Sequence, residues 1–292
     1  MANIGPVKQM MSQFPCRTHE ETREALRQVT QELTLLALSR TKFFDLAAFY
    51  GGTALRIFHE LPRFSEDLDF SLMLPDRNFN LTDFLPKIEE ELASFGLEMH
   101  VTRKEKRELS PVQSAFIKGN TLVHLVKVTS VGLPVRGIPS NEVIKIKLEI
   151  DVDPPKGAGY ELKFRLLPVP FSVRLYDKPS LFAGKVHALL CRGWKNRVKG
   201  RDFYDYLWYL ANNVPVNMVH LKERMVQSGH WNTKKTLTID DILQILENRI
   251  DPRIIELAKV DVSPFIANTQ ELDLWSKDFF LAVSEDRLRS ST

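Results

Sequence analysis

Residues 18–44 place Leu26, Val29, Leu33, Leu36, Ala37 and Phe44 at three- and four-residue intervals, the spacing of one amphipathic helix or a pair of them. Thr18-His19-Glu20-Glu21 offers a cap and an acidic first turn. The apolar run 43–50 then meets Gly51-Gly52-Thr53, followed by Ala54, Leu55, Ile57 and Phe58, which predicts a turn opening a short helix that Pro62 ends. Over 64–72 the period drops to two: Leu68, Phe70 and Leu72 share one face of a half-buried strand, while Asp67, Asp69 and Ser71 share the open one. Residues 83–95 read as a helix closed by Gly96. Residues 121–131 and 143–152 read as β-branched strands on either side of a loop at 132–139. In the later strand Ile144, Ile146, Leu148 and Ile150 alternate with Lys145, Lys147, Glu149 and Asp151, so acid groups again occupy a polar strand face.

After a Pro-containing strand at 164–173 the pattern turns helical, with candidates at 180–198, 202–212, 217–227, 239–249 and 271–282. The reading is an α/β domain over 1–178 followed by an all-helical domain over 179–292, with the boundary near 175–180.

Composition narrows the class. The 292 residues are 43% hydrophobic and 26% charged, an ordinary globular balance that excludes disorder, collagen and coiled coil. Cys16 and Cys191 form no Cys-x-x-Cys pair, which argues against a disulfide framework or zinc ribbon and for a reducing cytoplasm. The N-terminus carries no signal core, and no run of about 18 apolar residues marks a membrane span. With 40 Lys and Arg against 37 Asp and Glu the formal charge is only +3. A nucleic-acid partner therefore depends on where the positive charge sits.

Two features carry chemistry in combination. Two glycines ahead of a helix let backbone N–H groups approach a phosphate, the helix N-terminus adds partial positive charge, and Thr53 can donate a hydroxyl. Asp67 and Asp69, at i and i+2 on a strand, project side by side as a hard divalent cation requires. A two-metal phosphoryl-transfer site usually wants a third carboxylate, for which Glu149 is the first choice and Asp151 the second, on a strand that could pair beside that of Asp67. Separately, each feature also fits a plain turn or a solvated strand face. Between 185 and 205 six Lys/Arg (Lys185, Arg192, Lys195, Arg197, Lys199, Arg201) meet two Asp, an excess of four positive charges that would attract a triphosphate or a nucleic-acid backbone. Arg201 and Asp205, four apart, could equally be a helical ion pair, and Phe203, Tyr204, Leu207 and Trp208 read as core. No His-Glu-x-x-His, Gly-x-x-x-x-Gly-Lys-Ser/Thr, Gly-x-Gly-x-x-Gly or Gly-x-Ser-x-Gly motif is present, which removes the main support for zinc hydrolysis, P-loop hydrolysis, dinucleotide redox chemistry and a serine esterase.

The run Gly51-Gly52-Thr53-Ala54-Leu55, then Arg63-Phe64-Ser65-Glu66-Asp67-Leu68-Asp69-Phe70, resembles the signature of the AbiEii family of nucleotidyltransferase-like toxins, which includes the MenT toxins of mycobacteria. Lys185 and Lys199-Gly200-Arg201-Asp202-Phe203-Tyr204-Asp205 resemble the family's later Lys- and Asp-containing motifs. The resemblance implies a DNA polymerase β-like fold with a mixed sheet, and transfer of a nucleoside monophosphate from an NTP with Mg2+, or Mn2+ in its place. It also implies a tRNA 3′ end as acceptor, blocked translation, a toxin–antitoxin or phage-defence setting and a cognate AbiEi-like antitoxin. Carried across, Gly51, Gly52 and Thr53 would hold phosphate with Lys185, Arg201 and Asp202 nearby. Asp67 and Asp69, with Glu149 or Asp151, would hold metal. Lys185 would contact the triphosphate, and Asp205, with Asp202 competing for the assignment, would be the late aspartate. Two other readings stay open: a nucleotidyltransferase acting on a protein or a small molecule such as an antibiotic, and a non-catalytic RNA- or partner-binding domain.

Overall fold

The computed structural model describes residues 5–104, 111–121, 124, 141–194 and 198–290. The expected strand at 121–131, apart from Thr121 and His124, lies outside the described residues, as do the 132–139 loop, Lys195 and Arg197.

The chain divides into two compact units. One comprises Met1–Ile57, Glu66–Pro154 and Leu162–Leu175; the other comprises Phe58–Ser65, Pro155–Glu161 and Tyr176–Thr292.

The first unit opens with helix α1 (Gly5–Met11) and the long α2 (His19–Ser39). Thr18 caps α2: its hydroxyl accepts the Glu21 N–H, and the Glu21 carboxylate accepts the Thr18 N–H, a reciprocal capping box. A short turn α3 (Phe43–Leu46) leads into β1 (Ala47–Tyr50), and α4 (Gly51–His59) follows with no intervening loop. Strand β2 is Leu68–Leu72 and α5 is Leu85–Ser94, preceded by a 3-10 turn at Leu81–Phe84. The sheet is completed by β3 (His100–Lys104), β4 (Val112–Asn120), β5 (Val143–Asp151), β6 (Tyr160–Arg165) and β7 (Phe171–Tyr176).

The strand order is β3-β4-β5-β2-β1-β7-β6. Pairing is mixed: β2 runs parallel to β5 and antiparallel to β1, while β1 runs parallel to β7. Leu68, Phe70, Leu148, Ile150, Ala115 and Ile117 are fully buried, and α2 packs on β5 and α5 while α5 packs on β3. Phe70 is the centre of an aromatic cluster, with its ring centroid 4.9 Å from that of Phe43 and 5.1 Å from that of Phe49.

Several expectations change. The single strand expected at 164–173 is two, β6 and β7, because Pro168 and Pro170 cannot donate to a ladder and the chain turns there through a cis Leu167–Pro168 bond. Ser71, expected on an open face, is buried. The helix expected at 180–198 is α6 (Lys178–Cys191); Arg192 is already extended, at ψ 131°. The helix expected at 271–282 is a 3-10 turn, Thr269–Leu274, followed by α11 (Lys277–Ser290). Strands β3 and β4, and helix α10 (Pro252–Val262), were not expected at all. The remaining helices of the second unit are α7 (Gly200–Ala211), α8 (Met218–Gln227) and α9 (Ile239–Arg249), the last with the expected bounds. Among the described residues no helix is long and apolar enough to cross a membrane.

Replacing Phe70 by Ala removes a ring from a packed cluster and is expected to cost about 3–5 kcal/mol of stability in denaturant unfolding. Thr18→Ala, which loses only the cap, is expected to cost about 1 kcal/mol.

Candidate active site

In the first unit, pairing register assembles one polar row across four strands. Ser114 on β4 faces Glu149 on β5, Glu149 faces Asp69 on β2, and Asp69 faces Tyr50 on β1. Paired residues project to the same side of a sheet, so Asp69 and Glu149 stand beside each other, both half-buried. Asp151 lies one pair further along, opposite Ser71, and its carboxylate accepts the Asp153 N–H at 3.0 Å, closing the turn after the strand. The register therefore favours Glu149 over Asp151 as the neighbour of Asp69. Glu149 accepts a hydrogen bond from Ser114 Oγ at 3.0 Å and pairs with Lys147 Nζ at 2.6 Å.

Gly51 follows Tyr50 directly and begins α4 with φ +84°, a left-handed value that disfavours any side chain. A β-carbon there would come within 2.7 Å of Asp69 Oδ2, so the glycine is also what lets the helix start approach the carboxylate. Gly52 is buried behind it. Thr53, expected to offer its hydroxyl to a phosphate, is fully buried and donates it to the Asp67 carbonyl. Its hydroxyl thus fastens the chain just ahead of β2 to the first turn of α4.

The carboxylate oxygens of Asp67, Asp69 and Glu149 are hard donors suited to Mg2+, which is commonly held by one or two protein carboxylates together with substrate phosphates and water. Among the described residues no three His, Cys, Asp or Glu side chains already converge as a complete metal cage. Asp69 and Glu149, side by side on adjacent strands, are the pair whose oxygen chemistry suits such an ion, with Lys147 balancing the charge of Glu149.

In the second unit a buried network surrounds Lys185 on α6. Arg63 grips both oxygens of Asp205 on α7, Nε to Oδ1 at 2.5 Å and a terminal nitrogen to Oδ2 at 2.7 Å. Lys185 Nζ reaches Asp205 at 2.7 Å and Asp202 at 3.0 Å, and Arg192 pairs with Asp202. Arg63 is 3% exposed and Asp205 is 0% exposed, so these are charges taken out of water. Burial pushes the Asp205 carboxyl up, but Arg63 and then Lys185 outweigh it and hold it below the usual carboxylate range. Asp202 is lowered likewise, with Lys185 and Arg192 overcoming burial. Burial by itself would lower Lys185; the two carboxylates raise it above its ordinary value.

Arg201 does not depend on Asp205 for a partner, since its guanidinium lies over the Phe265 ring, 4.1 Å from the centroid. Gly200 opens α7 where the backbone of α10 passes: a β-carbon would meet the Ala258 carbonyl at 1.9 Å, and its N–H donates to Asp261 at 2.9 Å. Arg63 belongs to the Arg63–Phe70 run, but its partner stands 142 positions away, a separation that no local pattern signals.

A family profile described as the AbiEii nucleotidyltransferase toxin of type IV toxin–antitoxin systems matches residues 34–283. The chain belongs to this family. JHP933 from Helicobacter pylori, a crystal structure, shares 16% identity over 92% of this chain and 93% of its own, with a TM-score of 0.51, and supports the fold. MenT4, a nucleotidyltransferase toxin from Mycobacterium tuberculosis H37Rv, shares 18% identity over 97% of this chain and 87% of its own, with a TM-score of 0.48. No curated protein matches the sequence. The AbiEii match spans both the Gly51–Asp69 segment and the Lys185–Asp205 segment, and AbiEii membership makes the protein a nucleotidyltransferase toxin whose family works with an antitoxin partner.

Asp205→Ala leaves Arg63 and Lys185 buried without their carboxylate and is expected to cost about 3–5 kcal/mol, whereas Arg63→Met combined with Asp205→Leu should recover part of that loss in a double-mutant cycle. The carboxylates, lowered on folding, stabilise above their unfolded values near about pH 4, and this is lost as pH falls through the folded values. Lys185, raised on folding, stabilises below about pH 10 and this is lost as pH rises through its folded value. Unfolding measured against pH should therefore show a plateau between these limits that Asp205→Ala flattens at both ends. Gly51→Ala is expected to leave the protein folded but cost about 1–2 kcal/mol, with Asp69 displaced and activity reduced.

Proposed function

We propose that the protein transfers a nucleoside monophosphate from an NTP to an RNA acceptor, the 3′ end of tRNA, and acts in the cytoplasm to block translation. The observation that carries this reading is the Gly51–Asp69–Glu149 arrangement: a helix N-terminus and a carboxylate pair placed side by side by strand register.

In this reaction the acceptor hydroxyl attacks the α-phosphorus, a new P–O bond forms, the α–β P–O bond breaks and pyrophosphate leaves. The N–H groups of the first turn of α4 orient the phosphates, where the partial positive charge of the helix end favours them. Asp67, Asp69 and Glu149 would hold Mg2+, or Mn2+, which would neutralise phosphate charge and ease deprotonation of the attacking hydroxyl. Thr53 positions Asp67 through its carbonyl. Lys185 offers the third of its three N–H bonds to the triphosphate and stabilises charge on the departing pyrophosphate. The five side chains Arg63, Lys185, Arg192, Asp202 and Asp205 carry three positive charges against two negative, an excess that an anionic ligand completes. Arg201 and Asp202 complete the nucleotide-side set, and an AbiEi-like antitoxin is the neutralising partner.

Incubating the purified protein with each α-labelled NTP, Mg2+ and total tRNA tests the reading on a denaturing gel. Label is expected on tRNA with one preferred base. Asp67→Ala and Asp69→Ala should each remove it by 100-fold or more on the order expected for loss of phosphoryl-transfer electrostatics, and Lys185→Ala should weaken NTP use with the fold intact. A folded Asp69→Ala variant with full activity would overturn the metal assignment. Label on protein or small molecule with none on RNA would replace the acceptor.

A further inference from the structure

The sheet face that carries the Ser114–Glu149–Asp69–Tyr50 row continues along the strands for two further rows, because residues two apart on a strand share a face. By register Lys147 on β5 faces Phe116 on β4, which faces Thr102 on β3; in the next row Lys145 faces Lys118, which faces His100. The opposite face holds Ala115, Ile117, Ile144 and Ile146, all buried, so this is the outward side. His100, Thr102, Lys118 and Lys145 are exposed, and Phe116 is half-buried.

Like charges directly opposite each other on paired strands repel, yet the ammonium groups of Lys118 and Lys145 are drawn to one ring. Lys145 Nζ lies 4.2 Å from the Phe116 centroid and Lys118 Nζ 5.5 Å from it. A ring attracts an ammonium group without cancelling its charge. Neither lysine makes an ion pair with any described residue, whereas Lys147, between them and the carboxylate row, is taken by Glu149 at 2.6 Å. On β3, β4 and β5 the two outer rows contain no carboxylate. Two positive charges are thus held together and left for an anion to neutralise.

Their place in the sheet decides which anion. The strands run in the order β4-β5-β2-β1, and α4, the proposed seat of the triphosphate, starts directly after β1. Lys118 and Lys145 therefore lie on the far side of Asp69 and Glu149 from the nucleotide. Lys145 is four residues from Glu149, about 13 Å along the strand. An acceptor has to enter from the side that the triphosphate leaves free. A polynucleotide, with phosphates at regular intervals behind its terminal hydroxyl, reaches from the carboxylates to the lysines; a small-molecule acceptor ends before it gets there.

We propose that Lys118 and Lys145, held on the Phe116 ring, form the track for the acceptor strand, taking RNA backbone phosphates just behind the 3′ end. The inference rests on the RNA-acceptor reading and gives that acceptor a direction of approach, over β4 and β5.

The test is fluorescence anisotropy of the full-length protein with a labelled single-stranded RNA over a range of salt. Lys118→Gln and Lys145→Gln are each expected to weaken binding about fivefold at about 0.1 M salt and to lower the slope of log affinity against log salt by about 0.7, the single-strand value for one phosphate contact. Lys145→Arg should retain both. NTP binding should match the wild type, and the thermal unfolding midpoint of Lys118→Gln should equal or exceed it, since a like-charge pair is removed. In the labelling reaction the KM for tRNA should rise while that for NTP stays the same. Wild-type RNA binding that neither glutamine variant weakens overturns this track and leaves the RNA-acceptor reading standing. Labelling of a protein or small molecule, with no RNA binding by the wild type, overturns both. RNA affinity retained in both variants while affinity for polyglutamate is lost overturns the track in favour of an acidic protein partner.

Discussion

A carboxylate with no access to water has to be neutralised where it stands, and Asp205 is the residue at which this protein meets that requirement. Its two oxygens are taken by Arg63 in a fork and shared with Lys185. The pairing ties residues 58–65 to α7 within one unit, reinforced by the Phe64 N–H donating to the Phe265 carbonyl at 2.9 Å. It also fixes the ammonium of Lys185 against a rigid partner. Only three residues of chain separate Arg63 from Asp67, which stands just ahead of β2. Buried ion pairs are poor sources of net stability but costly to break, and their attested use is to specify one arrangement over others.

The sheet achieves its own specification by register. With a side-chain period of two, slipping β5 by one residue against β2 would turn Glu149 into the apolar layer and bring Leu148 or Ile150 to the polar face. Leu68, Phe70, Leu148 and Ile150, all without exposure, forbid that slip. The position of Glu149 beside Asp69 is thus a consequence of burying the other face. Gly51 adds the remaining constraint, since a β-carbon there would lie 2.7 Å from Asp69 Oδ2 and the carboxylate would have to shift to admit it.

Local signals were legible in the sequence, and contacts over long separations were not. Thr18 with Glu21, the alternation of 144–151, and the apolar spacing of 239–249 each express geometry within a few residues, and each has its expected counterpart in α2, β5 and α9. Strand β4 was missed because buried residues fall on both of its faces, Ser114 on the side of the polar row and Ala115 and Ile117 on the opposite one, which blurs a period of two. The overlong helix at 180–198 reflects apolar spacing that continues past Cys191, whereas Arg192 turns out of the helix and pairs with Asp202 ten residues on. The two phosphate-side motifs were visible as short runs, but neither the burial of the Thr53 hydroxyl nor the partner of Arg63 leaves a periodic trace. Composition likewise counted Arg192 as part of a free basic stretch, although its charge is spent on Asp202.

The arrangement around Lys185 explains how one residue can serve both structure and the proposed chemistry. Asp205 has Arg63, and Asp202 has Arg192, so each carboxylate keeps an arginine when the lysine turns part of its charge toward a ligand. An arginine fork cannot be deprotonated and holds both oxygens in a fixed plane. Lysine is a point charge on a flexible stem, able to share its three protons among partners at different angles. Were the two roles exchanged, with arginine at 185 and lysine at 63, Asp205 would lose its bidentate grip and the central cation would be committed to a single plane. The division of labour seen here, with Arg63 buried at 3% exposure and Lys185 common to both aspartates, keeps the carboxylates satisfied while leaving the lysine as the member that can answer a phosphate.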